Sequence, residues 1–101
     1  VLPILVLGPA EHFLKKVVEK PLKTTLLQAM QEIRMDPYIG EAKTGDLAGY
    51  YCYDVFYKGT NYELAYTLEE NQDGELLVVI LAGTRENFYE ELKRIVKRRL
   101  K

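Results

Sequence analysis

Six consecutive apolar residues, Leu76 to Leu81, constrain the fold of this chain more than any other stretch. They lie between the turn pair Asp73-Gly74 and Gly83, and a short apolar run with that punctuation favours an internal strand over a helix. A Gly-Thr-Arg corner follows, and then the most basic part of the chain, ending in Lys-Arg-Arg-Leu-Lys. Thr84 reads as the N-cap of the next helix, because its hydroxyl can accept a free first-turn amide and Asn87 stands three residues on as a reciprocal partner. Glu86 suits the positive end of that helix. Arg85 is then held at a strand-to-helix junction, where a fixed cation can meet a phosphate, although a first-turn arginine is as readily a solvated surface residue.

The chain has 101 residues, which predicts a single domain spanning 1–101 around one modest core. An ordered fold is expected because 48% of the residues are apolar and no low-complexity tract interrupts them. Cys52 is the only cysteine, so no internal disulfide is possible, and no Cys/His set has the spacing of a structural zinc site. The opening VLPILVL is too short to span a bilayer and has neither a basic leader nor a small-residue cleavage site, which predicts a soluble, cytoplasmic protein with no membrane association.

Residues 2–7 read as a first strand, begun by Pro3 and ended by Gly8-Pro9. Phe13, Leu14, Val17 and Val18 recur at helical spacing over 10–20, and Pro21 separates this helix from a second, over 22–34, with Leu22, Leu26, Leu27, Met30 and Ile33 as its buried stripe. Asp36-Pro37 stops that helix. The stretch to Gly49 reads as a loop anchored by Leu47, with Lys43 free to reach solvent or a ligand. Residues 50–57 form an aromatic strand with Tyr50, Cys52, Asp54 and Phe56 on one face and Tyr51, Tyr53, Val55 and Tyr57 on the other. Lys58-Gly59-Thr60-Asn61 turns into a strand over 62–68, where Tyr62, Leu64, Tyr66 and Leu68 alternate with Glu63, Ala65 and Thr67. The predicted order is β-α-α-β-β-β-α, an α+β fold.

Familiar catalytic patterns are missing. There is no phosphate-binding glycine loop followed by lysine, no nucleophile elbow, and no carboxylate pair singled out by spacing. His12, the only histidine, lacks a partner at any motif spacing, and Cys52 inside a strand reads as a packing residue. Eight tyrosines suit a half-buried sheet, with base stacking as the competing use.

The net charge of −1 conceals a strong segregation. Residues 1–35 carry +2, residues 36–75 carry −7 from two basic and nine acidic groups, and residues 84–101 carry +4. A basic terminal helix suits nucleic acid or an acidic protein, whereas the acidic middle repels a phosphate backbone.

Asp36-Pro37, Gly40, the 43–49 loop, the segment Gly59-Thr60-Asn61-Tyr62-Glu63-Leu64-Ala65-Tyr66 and above all the stretch from Leu81 to Lys93 resemble the RelE/ParE superfamily of toxins from bacterial and archaeal type II toxin-antitoxin systems. The resemblance implies a small twisted sheet, the N-terminal strand beside the last strand, and helices packed on one side. It also implies a cognate antitoxin and, for the ribosome-associated members, a metal-independent endoribonuclease that cleaves messenger RNA without a cofactor, through charge stabilisation by basic side chains. On that basis Arg85 and Tyr89 are the catalytic candidates, four residues apart and able to share a helix face. Lys43, Lys58, Phe88 and Tyr57 are candidates for substrate binding, and Tyr51, Tyr53, Arg94 and Arg98 for antitoxin binding.

The sequence departs from the nuclease pattern where lysines and an arginine face RNA in that branch: here stand Asp54, Phe56 and Glu63. A carboxylate beside a scissile phosphate repels it. The resemblance therefore also admits a toxin of the type that inhibits DNA gyrase by binding it, or a degenerate toxin kept for antitoxin binding and autoregulation.

Overall fold

The computed structural model describes residues 1–99. Its elements run β1 (Ile4–Val6), α1 (Gly8–Lys16), α2 (Lys20–Met35), β2 (Glu41–Ala42), β3 (Tyr50–Tyr57), β4 (Thr60–Asn71), β5 (Gly74–Thr84) and α3 (Phe88–Arg99), with one 3-10 turn at Gly45–Leu47. Five strands form one sheet in the order β1-β5-β4-β3-β2. The N-terminal strand lies parallel to the last one, Ile4 opposite Leu77 and Val6 opposite Val79, and the other pairings are antiparallel. The expected α+β order holds, with one addition: the two-residue β2, which is too short to carry any periodic signal.

β5 carries the apolar run, and it is internal, flanked by β1 and β4. Leu77, Val78, Val79 and Ile80 are all fully buried because both sheet faces are covered. Leu77, Val79 and Ala82 pack with Leu64 and Tyr66 of β4 against Ala10, Leu14, Leu22, Leu26, Met30 and Ile33 of the first two helices. Val78, Ile80 and Leu81 pack with Cys52 and Ala65 against Phe88, Leu92, Ile95 and Val96. Thus α1 and α2 share one face as expected, and α3 crosses the opposite one, a correction to helices on one side only. The change of side is built into β5. Ala65 pairs with Leu81 and Tyr66 with Val79, so Ile80 is an extra residue in a bulge, and Ile80 and Leu81 both point toward α3.

The β3–β4 hairpin closes with Lys58 and Gly59 at φ 48° and 80° between the paired Tyr57 and Thr60, the left-handed backbone that a two-residue turn of matching twist requires. α1 ends at Lys16 rather than Lys20, and Val17 is extended. Val18 therefore lies in the connection, 92% exposed, instead of on the apolar stripe. Pro9 and Pro21 each sit in the first turn of a helix, where no amide is missed. None of the described helices is long and apolar enough to cross a membrane.

Candidate functional site

On the face that carries α3, alternation along β3 and β4 lines up Cys52, Asp54 and Phe56 with Asn61, Glu63 and Ala65. Asp54 stands directly opposite Glu63, and Phe56 opposite Asn61. β2 adds to the same face, because Glu41 pairs with Cys52 and directly paired residues share a side. What holds β2 in place is a glycine. Gly40 donates its amide to Tyr66 Oη at 3.0 Å, while that hydroxyl donates to the Pro37 carbonyl at 2.8 Å. A Cβ at Gly40 would meet the hydroxyl at 2.6 Å, so this close approach belongs to glycine.

The corner after β5 differs from the predicted cap. Thr84 is the last strand residue and pairs with Tyr62; the chain then turns over 85–87, with Asn87 at φ 58°, and α3 begins at Phe88. Arg85 lies in this connection and Tyr89 in the first helical turn. Their convergence thus comes from the turn and not from a shared helix face, since the left-handed Asn87 breaks the helical spacing. The two meet in a cleft of about 130 Å³ lined by Glu41, Cys52, Asp54, Glu63, Arg85 and Tyr89.

Glu63 is the floor of this cleft. It is 1% exposed and accepts a hydrogen bond from Tyr89 Oη on Oε1 at 2.8 Å, and its Oε2 has no partner among the described residues. Burial, and then this bond to a carboxyl group, raise the Tyr89 phenol above its ordinary value. Lys43 arrives from the loop, pairs with Glu41 and lies 4.7 Å from the centre of the Tyr89 ring. The Glu41 carboxylate raises the Lys43 ammonium well above the usual lysine range, so it stays charged. Burial pushes the Cys52 thiol up to about 12, which makes it a poor nucleophile. Arg85 is exposed, and among the described residues it has no carboxylate at ion-pair distance. Three carboxylates thus face two cations, where a nuclease groove would present cations to a phosphate.

Of the predicted site residues, Arg85, Tyr89 and Lys43 come together. Phe88 does not join them as a stacking surface, because it is 2% exposed and packed beneath α3. Tyr57 and Lys58 are drawn to the other side of the hairpin, where both bind the Glu19 carboxylate, at 2.8 and 3.3 Å. Tyr51 and Tyr53 face α2: Tyr51 stacks on Tyr66 with centroids 5.3 Å apart, and Tyr53 donates to Glu32 at 2.9 Å. Arg94 and Arg98 lie exposed on α3, across the sheet from those tyrosines, so the four do not form one surface. Arg94 lines a broader depression of about 680 Å³ with Asp46, Glu90, Lys93, Val96 and Lys97. Two residues of the cleft face escaped sequence reasoning. Glu41 rides on a strand too short to recognise, whereas Asn61 was legible in principle by extending the β4 alternation one step back.

Comparison with known proteins places this arrangement. No curated protein matches the sequence. Among solved structures, a doubly substituted RelE toxin of Escherichia coli in its free state is similar at 18% identity and a TM-score of 0.70, over 96% of each chain. The YoeB/ParE toxin of Agrobacterium tumefaciens is similar at 13% identity and a TM-score of 0.66, over 83% of this chain and 99% of that one. A RelBE toxin-antitoxin complex of Mycobacterium tuberculosis is similar at 19% identity and a TM-score of 0.62, over 83% of this chain and 98% of the matched one. At these identities the likeness is one of fold. The family model for the ParE-like toxin of type II bacterial toxin-antitoxin systems matches residues 4–93, nearly the whole chain, and to that family this protein belongs.

Proposed function

We propose that this chain is the toxin of a type II pair, held in check by a cognate antitoxin, and that it acts by binding a protein target, DNA gyrase, rather than by cleaving RNA. One observation carries this reading: the cleft at the Arg85–Tyr89 corner is floored by the buried Glu63 and walled by Glu41 and Asp54. An incoming phosphodiester would bring another negative charge into a site that already holds three carboxylates, and one of the two cations, Lys43, is engaged by Glu41. A protein surface makes no such demand, because it can present donors and cations to those carboxylates. The match to the ParE-like family supports the reading, as does the likeness to toxins solved with their antitoxins. Both gyrase and antitoxin would be met in the cytoplasm.

A ribosome-associated endoribonuclease is the second reading, favoured by Arg85, which is exposed, lines the cleft with Tyr89 and has no ion-pair partner among the described residues. The deciding experiment runs both activities on one preparation of antitoxin-free protein. Inhibition of gyrase supercoiling, with intact messenger RNA on translating ribosomes, is the expected result. New RNA ends that disappear in Arg85→Ala, with circular dichroism unchanged, would overturn it.

A further inference from the structure

The face that carries α3 is short of hydrogen-bond donors at one spot. Asp54 and Glu63 stand opposite one another, and like charges directly across a ladder are destabilising. Oε2 of Glu63 is buried without a partner, whether the group is a carboxylate or an acid. Oδ1 of Asn61, two residues away on the same strand and face, is likewise buried and unpartnered. Its amide already donates to Asp54 Oδ1 at 3.3 Å, so turning the amide over would only set one acceptor against another. Beside them Phe56, opposite Asn61, is 73% exposed, an unusual place for an aromatic ring.

Arg85 lines the same cleft but makes no ion pair with either carboxyl group among the described residues, so donors, positive charge and a flat group to lie against an aromatic ring are what Asp54, Asn61 and Glu63 lack. The guanidinium of arginine supplies all three: five N–H donors in a rigid plane, a permanent charge, and a face that stacks on aromatic rings. The ammonium of lysine is a point charge without the plane. Size agrees, since the cleft of about 130 Å³ that Asp54 and Glu63 line, with Asn61 and Phe56 next to it on the same face, is well below the roughly 300 Å³ at which small-molecule sites begin and suits one side-chain head group. We propose that Asp54, Asn61 and Glu63, with Phe56 at the rim, form a socket for a single arginine of a protein partner. The proposal rests on the protein-binding reading above and names the group on the partner that this cleft recognises. It also gives Glu63 a use: the residue lines the cleft, one of its oxygens is held by Tyr89, and the other is left as an acceptor for the guest.

The test is a titration of the whole chain with Nα-acetyl-arginine amide, followed by amide chemical shifts. The citrulline analogue, equal in shape and uncharged, and the lysine analogue run in parallel. The expected result is saturable shifts confined to residues 52–54, 61–63 and 89 with arginine, none with citrulline, and binding about tenfold weaker in Asp54→Asn and Glu63→Gln. Asp54 is exposed, so its variant tests the socket even if Glu63→Gln folds poorly. Equal shifts with citrulline or lysine, or arginine binding indifferent to both variants, would overturn the socket. Arginine binding alongside RNA cleavage would keep the socket and remove the protein-target reading; gyrase inhibition without arginine binding would do the reverse.

Discussion

Tyr89 Oη donates to Glu63 Oε1 at 2.8 Å, and this bond ties the first turn of α3 to the N-terminal part of β4. It is the one hydrogen bond among the described residues that reaches the buried carboxyl group. Tyr89→Phe leaves both oxygens without a donor, and a loss of about 1–3 kcal/mol in unfolding free energy is expected by urea denaturation. The double variant Tyr89→Phe/Glu63→Leu should be more stable than the sum of its single changes predicts. Wild-type stability in Tyr89→Phe would show that the bond holds nothing.

Gly40→Ala should destabilise the fold by about 1–3 kcal/mol, because the new methyl group meets Tyr66 Oη at 2.6 Å and the Cys52 carbonyl oxygen at 3.0 Å. The cost should shrink, without vanishing, in a Tyr66→Phe background, where the first of those contacts is gone. Thermal unfolding of the four proteins decides it, and equal costs in both backgrounds would point away from the Tyr66 hydroxyl.

Alkaline stability should turn on the same tyrosine. Burial raises the Tyr66 phenol from about 10 to about 12, so the folded state holds this proton more tightly than the unfolded chain. The resulting stabilisation is full below pH 10 and is lost as the pH climbs through about 12. Phenolate absorbance should therefore show a late step that coincides with unfolding, and Tyr66→Phe should lack it. A wild-type titration that is complete near pH 10 with the fold intact would contradict this.

The thiol of Cys52, buried and pushed up to about 12, should resist alkylation at pH 8. Mass spectrometry should find the folded protein largely unmodified after a treatment that fully labels the chain in denaturant. Rapid labelling of the folded form would mean that β3 opens readily beside the site.

Much of the scaffold was legible in the chain, for reasons that lie in side-chain alternation. β3 occupies 50–57 as read, and its two faces divide as Tyr50, Cys52, Asp54, Phe56 and Tyr51, Tyr53, Val55, Tyr57 suggest, because period-two patterns survive wherever both faces are specified. The apolar run at 76–81 read correctly as an internal strand. What escaped was set by long-range contacts. The strand β2 exists because Tyr66 holds Gly40, and nothing within residues 36–49 announces it. Thr84 looks like a cap, but its pairing with Tyr62 keeps it in the sheet, and Asn87 takes the left-handed turn instead. As for the site, Arg85 stands out from its strand-to-helix corner alone, whereas its catalytic role and Tyr89 come from a family likeness. Glu63 and Asp54 stood out only as departures from it, and the burial of Glu63 and its place opposite Asp54 became visible in three dimensions.

The bulge at Ile80 has a consequence for how this chain tolerates changes in length. Since Ile80 and Leu81 share a side, β5 carries one residue more than β4 needs. Deleting Ile80 would restore a regular ladder and leave the corner at Arg85 opening on the same side of the sheet. Deleting Ala82, beyond the bulge, would with the bulge retained turn Thr84 from the side of α1 and α2 to that of α3 and carry the Arg85 corner the opposite way. The strand thus stores its slack at one position, where a deletion can pass without carrying Arg85 and Tyr89 away from Glu63.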